Sequence, residues 1–120
     1  MKILIVEDEA IIALNLKRTL ETMGHQVLPV AASMEKAVEN ARFGNPDLIL
    51  MDILLKGEGT GIDAAYEIRG FCKVPIIFLT GNAFPLTDVE LVETRPCEVY
   101  SKPLSLKDLQ GMIQRMEVAG

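Results

Sequence analysis

Five side chains with useful chemistry stand at the ends of short predicted strands: Glu7, Asp8, Asp52, Thr80 and Lys102. Acids that are packed together repel each other and resist ionisation unless a cation lies among them, and Mg²⁺ suits one or two carboxylates plus water and phosphate. An Asp carboxylate is a nucleophile for phosphorus, and a Lys ammonium and a Thr hydroxyl can bind the transferred group. The set predicts Mg²⁺-dependent transfer of a phosphoryl group to an Asp, provided that the fold brings these residues together.

Each of these residues has a simpler interpretation when it is taken alone. Asp52 could cap a turn, and Glu7 and Asp8 could cap a helix and favour its dipole. Lys102 could be an ordinary surface Lys, and Thr80 an ordinary residue at a strand end. The functional interpretation therefore depends on whether all of these positions converge at one edge of a sheet.

The apolar pattern predicts five strands that alternate with five helices. The strands are expected at residues 2–6, 26–32, 47–52, 74–79 and 97–101. The first helix is expected at about residues 10–23, and the second ends near Gly44. Capping signals at the later helices are Ser33, Thr60 with Asp63, Thr87 with Glu90, and Ser105 with Asp108.

Alternating strands and helices predict one α/β domain over residues 1–120, with a doubly wound, flavodoxin-like parallel sheet and helices on both faces. Leu48–Met51 is an uninterrupted apolar run, typical of a strand that is buried on both faces. Pro29 favours an edge position for the second strand. The strand order 2-1-3-4-5 fits best, and it brings the carboxyl ends of the strands to one edge, where ligands bind.

The composition limits the class of protein further. A chain of 120 residues with 49% hydrophobic content forms one domain with a real core. The net charge of −5, without a basic stripe, argues against direct contact with nucleic acid. No apolar run is long enough for a membrane span and no export signal is visible, so a cytoplasmic location is expected. Cys72 and Cys97 lack metal or redox spacing, and His25 stands alone.

The chain resembles the receiver domains of two-component response regulators from Lys2 to Val118. The motifs are Val6-Glu7-Asp8-Glu9, Met51-Asp52-Ile53 with Gly61 nine residues after Asp52, Phe78-Leu79-Thr80-Gly81, and Lys102-Pro103. Each motif is weak alone, but together they are highly specific.

The resemblance implies roles for the site residues. Asp52 would be the phosphoacceptor, and Glu7, Asp8, Asp52 and the backbone carbonyl of Leu54 would hold Mg²⁺. Thr80 and Lys102 would bind the phosphoryl group, and Tyr100 would be the aromatic residue whose rotamer changes with the switch. We expect Thr80 to turn toward the phosphoryl group and Tyr100 to swing into the space vacated near the fourth helix. The resemblance also implies a cis peptide bond at Lys102-Pro103.

The resemblance implies partners as well. A histidine kinase or a histidine phosphotransfer protein would supply the phosphoryl group, and a downstream target, which the sequence does not name, would read the surface formed by helix 4, strand 5 and helix 5. A phosphorylation-dependent dimer is a further possibility. The protein would catalyse the phosphorylation and dephosphorylation of its own Asp52 but would act mainly as a signalling switch.

Some residues depart from the common pattern. Lys56 stands where many receivers have Pro, and the loop to Gly61 is one residue longer than in the simplest members. Gly81 leaves an open path to the phosphoryl group. Phe84-Pro85 and the short fourth helix place the signalling surface, rather than the chemistry, in question.

Three other interpretations compete with the receiver. A haloacid-dehalogenase-like phosphatase needs a second Asp two residues after the nucleophile, but position 54 is Leu. A flavodoxin-like electron carrier needs a phosphate-binding loop after the first strand, where Glu7-Asp8-Glu9 stands instead. A receiver that acts as an interaction module without phosphorylation would not need the complete site.

Overall fold

The computed structural model describes residues 1–55, 57, 59–81 and 86–119. The departures at Lys56 and at Phe84-Pro85 lie outside the described residues. The strands are β1 (Lys2–Val6), β2 (Gln26–Val27), β3 (Leu48–Asp52), β4 (Ile76–Thr80) and β5 (Cys97–Ser101). The helices are α1 (Ala10–Thr22), α2 (Met34–Gly44), α3 (Gly61–Arg69), α4 (Asp88–Glu93) and α5 (Leu106–Ala119).

The five strands form one parallel sheet in the order β2-β1-β3-β4-β5, as the sequence predicts. All five residues of β3 and of β4 are buried, which confirms that both strands are covered on both faces. Because every strand runs in the same direction, their carboxyl ends share one edge. That edge carries the candidate site.

The second strand is shorter than the sequence predicts. Only Gln26–Val27 forms regular pairs with β1, although the amides of Leu28 and Ala31 still donate to β1 carbonyls at 2.9 and 3.0 Å. Pro29 between them has no N–H and interrupts the regular pairing, and its carbonyl accepts a 2.9 Å bond from the Asn40 side chain instead. The strand does lie at the sheet edge, as Pro29 indicates.

The fourth strand also differs at its start, because it begins at Ile76 rather than at residue 74. Pro75 has no N–H to donate, so pairing with both neighbouring strands begins one residue later. The carbonyl of Pro75 still accepts from the Ile49 amide at 3.0 Å. The peptide bond before Pro103 is cis, as the resemblance implies, and the bond before Pro96 is cis as well.

Helix starts follow their capping signals. The hydroxyl oxygens of Ser33, Thr60, Thr87 and Ser105 each accept a hydrogen bond from the amide three residues later. Thr60 and Thr87 form complete capping boxes. Glu9, which precedes α1, makes no side-chain capping bond.

Two apolar clusters fill the space on either side of the sheet. The cluster on the α2–α3 face contains residues from β1, β3 and β4 together with Ala37, Ile62 and Ile68, and Leu91 of α4 packs at its margin. The cluster on the opposite face contains Leu20 of α1 and Leu109, Met112 and Ile113 of α5. None of the described helices is long and apolar enough to cross a membrane.

Candidate phosphoacceptor site

Asp52 is the last residue of β3, and its position is set by the loop that follows. The side chain is 6% exposed, and its Oδ1 accepts a 3.3 Å bond from the amide of Leu54. The Gly61 amide donates to the Ile53 carbonyl at 2.8 Å and so returns the chain to the end of the strand. A Cβ atom at Gly61 would overlap the carbonyl oxygen of Asp52, so only glycine allows this approach.

The two acids after β1 lie beside Asp52. Glu7 is 2% exposed, and its amide donates to the Ala31 carbonyl at 2.9 Å, whereas Asp8 is half-buried. One carboxylate oxygen from each of Glu7, Asp8 and Asp52 lies within 4.8 Å of the others. The three acids therefore converge, as the strand ends predict.

Lys102 follows β5 and connects two of these acids. Its ammonium lies 2.7 Å from Glu7 Oε1 and 3.0 Å from Asp52 Oδ2, with 20% of the side chain exposed. Its amide donates to the Thr80 carbonyl at 2.8 Å, which continues the bonding between β4 and β5 by one residue. This geometry excludes an ordinary surface role for Lys102. The direct Glu7–Lys102 pair was not predicted, since the sequence assigns these residues to different tasks.

Burial changes the proton affinity of this cluster. Removal from water, together with a hydrogen bond to Asp52, raises the pKa of Glu7 from 4.5 to about 7, although Lys102 opposes the change. Burial alone would lower the pKa of Lys102, but its hydrogen bonds to Glu7 and Asp52 outweigh that effect and raise it. Without a metal ion, Glu7 therefore keeps its proton to a higher pH than a free carboxyl does, and a bound cation would favour its ionised form.

The donor set suits a magnesium ion. Mg²⁺ takes oxygen ligands at about 2.0–2.1 Å, so ligands on opposite sides of the ion are about 4.2 Å apart. The spread of 4.8 Å between the three acids is close to that span. Leu54, whose carbonyl the resemblance assigns to the metal, lies two residues after Asp52 with its amide against that carboxylate.

Thr80 and Gly81 lie at the adjacent strand end. Thr80 is the last residue of β4 and is 9% exposed. Gly81 is exposed, and a Cβ atom built there would meet no other atom within 4 Å. The carboxyl edge of the sheet is therefore open to solvent at Gly81, next to the buried Thr80.

Tyr100 lies on a different face from the one that the predicted switch requires. It pairs in register with Leu79 and packs against the α1–α5 cluster, whereas α4 contributes Leu91 to the opposite cluster. Its hydroxyl donates to Glu98 at 3.2 Å and accepts from Arg115 of α5. Movement of Tyr100 into space vacated beside α4 would require it to cross the sheet, so the predicted Thr80–α4–Tyr100 route needs correction.

Val99 occupies the face that Tyr100 does not. It pairs in register with Phe78, which belongs to the α2–α3 cluster, and its side chain is partly exposed. Alternation along β5 fixes this assignment because successive side chains point to opposite faces. Alternation along a strand predicts from the sequence that Val99 and Tyr100 lie on opposite faces, and the register of β5 against β4 decides which face each residue takes.

Comparison with known proteins identifies the family. The profile of the response regulator receiver domain matches residues 3–114. The transcriptional regulatory protein PdtaR of Mycobacterium tuberculosis is 38% identical over 115 residues, which cover 94% of this chain and 55% of PdtaR. The phyllosphere-induced regulator PhyR of Methylorubrum extorquens is 34% identical over 115 residues, 95% of this chain and 42% of PhyR.

A solved structure shows the same architecture. The N-terminal domain of a response regulator/sensory box/GGDEF three-domain protein from Carboxydothermus hydrogenoformans superposes with a TM-score of 0.84 at 31% identity, covering 97% of this chain and 93% of that domain. This chain spans about half the length of the curated relatives that it matches. With its strand order, its acid cluster and these relatives, the chain belongs to the response regulator receiver domain family of two-component signalling.

Proposed function

We propose that Asp52 is the residue that accepts a phosphoryl group, with a phosphohistidine of a kinase or phosphotransfer protein as the donor. The observation that carries this proposal is the buried Asp52 carboxylate, which lies 3.0 Å from the Lys102 ammonium and within reach of two further acids. An Asp in an ordinary turn would have neither partner.

The chemical step requires little from the protein except positioning and charge. An Asp52 oxygen forms a bond to phosphorus while the bond between phosphorus and the imidazole nitrogen of the donor breaks. The electron pair of that bond stays on the imidazole. Lys102, which lies 3.0 Å from the carboxylate, would bind an oxygen of the transferred group, and the Thr80 hydroxyl would donate to another.

Glu7, Asp8 and Asp52, with the Leu54 carbonyl, would hold Mg²⁺. When bound, the ion would neutralise negative charge on the incoming phosphoryl group. Glu7 and Lys102 hold each other at 2.7 Å, and this ion pair keeps the ammonium over the site before the phosphoryl group arrives. Asp8 is the least buried of the three acids and would contribute its carboxylate to the ion from the solvent side.

Incubation with acetyl phosphate and Mg²⁺ tests the chemistry. Intact-mass measurement should show one phosphoryl adduct, which should be absent in Asp52→Asn and in EDTA, and strongly reduced in Asp8→Ala. Asp108→Asn, the same change at an exposed helix position, is the matched control and should label fully. An adduct that persists in Asp52→Asn or forms equally in EDTA would refute the assignment.

The donor is expected to approach over the α1–α5 side of the site. A cavity of about 290 Å³ adjoins Lys102 there, with a mostly apolar lining that includes Ile12, Leu16 and Leu106. Ile11, the neighbour of Ile12 in α1, is 76% exposed. A helical donor with an apolar face would cover these side chains while it presents its histidine to Asp52.

Donor docking can be separated from the chemistry. Ile11→Ser should slow transfer from a phosphohistidine donor protein but leave labelling by acetyl phosphate unchanged, because only the protein donor needs the surface. Phe43→Ser, which changes a similarly exposed residue at the end of α2, is the matched control. Equal slowing with both donors would locate the defect in the site itself.

The phosphoryl group is expected to act on α4 through Thr80. We expect the phosphoryl mimic beryllofluoride to shift amide NMR signals over residues 86–101, and Thr80→Ala to keep phosphorylation while reducing those shifts. Val99, rather than Tyr100, should show the larger change of the two, because it shares a face with α4. Unchanged distant shifts in Thr80→Ala would exclude this route.

A further inference from the structure

A groove with an excess of positive charge lies at the opposite end of the sheet from Asp52. It lies between the end of α3, the end of α4 and the start of β5, and its volume is about 450 Å³. Pockets for small ligands typically span about 300–1,000 Å³. The lining residues are Arg69, Lys73, Val92, Glu93, Arg95 and Pro96.

Arg69 forms the half-buried wall of this groove. Its guanidinium donates to the carbonyls of Thr94, Cys72 and Pro96 at 2.8, 3.1 and 2.9 Å. An Arg has five N–H groups, so two remain for another acceptor. Burial lowers the pKa of Arg69, and among the described residues no carboxylate forms an ion pair with it.

Two more cations stand at the rim. Lys73 and Arg95 are exposed, and neither forms an ion pair within the described part of the chain. The single acid in the lining, Glu93, accepts a 3.4 Å bond from the Tyr66 hydroxyl. Three cations and one acid leave a local charge of +2 in a chain whose net charge is −5.

Helix dipoles explain only part of this arrangement. Cations are favoured after helix C-termini, and Arg69 and Arg95 stand at such positions. A dipole interaction alone does not require a cavity, and it does not bring three cations from two segments to one groove. Val92 and Pro96 also line the groove, but both are exposed, so the charged groups rather than apolar burial would supply its affinity for a ligand.

We propose that this groove binds a phosphate monoester group, a dianion whose charge matches the local excess. Arg69 would offer its two remaining N–H groups, since a guanidinium suits a phosphate, and Lys73 and Arg95 would close over the other oxygens. The site is separate from the phosphoacceptor at Asp52 and does not depend on it. Because its lining comes from both the end of α3 and the end of α4, an occupant would join these two helices.

The test uses Asp52→Asn in EDTA, so that the phosphoacceptor site cannot contribute. O-phosphoserine and inorganic phosphate are titrated separately at constant ionic strength, and amide NMR signals are followed. Saturable shifts are expected at residues 69, 73 and 92–96. Tighter binding of O-phosphoserine than of inorganic phosphate would support a monoester ligand, whereas equal or weaker binding of O-phosphoserine would contradict it.

Variants that remove positive charge test which residues bind the phosphate group. Lys73→Gln with Arg95→Gln should weaken binding about tenfold, because two charge-assisted contacts are lost while Arg69 keeps its structural bonds. Lys107→Gln, an exposed Lys at the start of α5, is the matched control and should leave the affinity unchanged. Shifts that rise linearly without saturation, or an affinity that the double variant leaves intact, would overturn the proposal.

Discussion

Helices α3 and α4 begin in the same way but are held in the fold differently. In α3 the Thr60 hydroxyl oxygen accepts at 3.2 Å and the Asp63 carboxylate at 2.9 Å, and in α4 the corresponding Thr87 and Glu90 bonds are 3.1 and 2.8 Å. Yet α3 buries five of its nine residues and α4 buries none of its six. Equal caps therefore accompany unequal packing, and packing decides how firmly a helix is held.

The contacts at the helix ends explain what replaces burial in α4. The start of α3 is joined to the residue after β3, the strand that ends at Asp52, through the Gly61–Ile53 bond. The end of α4 is held by Thr94, which is fully buried and donates to the Glu90 carbonyl at 2.6 Å, and by the Arg69 side chain. A helix held at one end by polar contacts can move without disturbing the core, which suits the element that would report phosphorylation.

The largest effect is expected where α3 meets Asp52. Gly61→Ala places a Cβ atom against the Asp52 carbonyl, so the end of β3 must shift. We expect a loss of about 2–3 kcal/mol in the free energy of unfolding, typical of overpacking, and slower labelling of Asp52. Gly111→Ala in α5 is the control, because its added methyl meets only the Arg115 side chain at 3.9 Å. Denaturant melts and labelling rates should separate the two; equal stability would refute the close approach.

The next largest effect is expected on the pH dependence of the free energy of unfolding, through Glu7 at the end of β1. The folded pKa of Glu7 is about 7 against 4.5 for a free carboxyl, so the folded state binds more protons between these values. Stability without metal should therefore fall as pH rises from about 4.5 to about 7, on the order of 2 kcal/mol, and Glu7→Gln should remove this part of the slope. Lys102, whose folded pKa is raised, contributes stability that is constant over this window and lost only at alkaline pH.

Hydrogen exchange can show which of the two helices, α3 or α4, opens with the pH dependence expected from Glu7. Amides of α3 should follow the pH dependence, because they exchange only when the core unfolds. Amides of α4 should not follow it if the helix opens locally. The same pH slope in both helices would show that they unfold together and would remove the distinction between them.

A smaller and more local effect is expected from Arg69→Met. The change removes three donors to carbonyls around the end of α4, each bond contributing about 0.5–1.5 kcal/mol. We expect exchange of amides 88–94 to accelerate more than that of α3. Arg42→Met, which removes a guanidinium 4.3 Å from the Phe71 ring, is the control and should leave α4 exchange unchanged. Equal protection of α4 in Arg69→Met would show that the guanidinium does not hold the helix.

The smallest effects come from the caps themselves. Thr60→Ala should lower global stability by about 1 kcal/mol, because α3 unfolds only with the core. Thr87→Ala removes an equivalent bond, but it should change global stability by less than about 0.5 kcal/mol if α4 opens before the core does. Thermal melts measure the two losses directly. A larger loss from Thr87→Ala would reverse the comparison.

Much of the fold follows from patterns within a few residues. The apolar run Leu48–Met51 predicts a strand buried on both faces, and each capping residue predicts a helix that starts at the next residue. The convergence of Glu7, Asp8, Asp52 and Lys102 could also be predicted, because the carboxyl ends of parallel strands share an edge. These features depend on local bonding and on one topological rule, and both are visible in a linear chain.

The rest was decided by contacts between distant segments. The Glu7–Lys102 pair joins residues 95 positions apart, and its 2.7 Å distance and the burial that raises the Glu7 pKa exist only after the sheet has formed. Arg69 is an ordinary last residue of a helix until α4 ends beside it, when its guanidinium acquires three carbonyl partners. The sequence by itself determined which residues stand at the strand ends, because periodicity and caps are local. Only the tertiary structure decided which charges are paired, since desolvation and Coulomb energies depend on distances that the chain sets by folding.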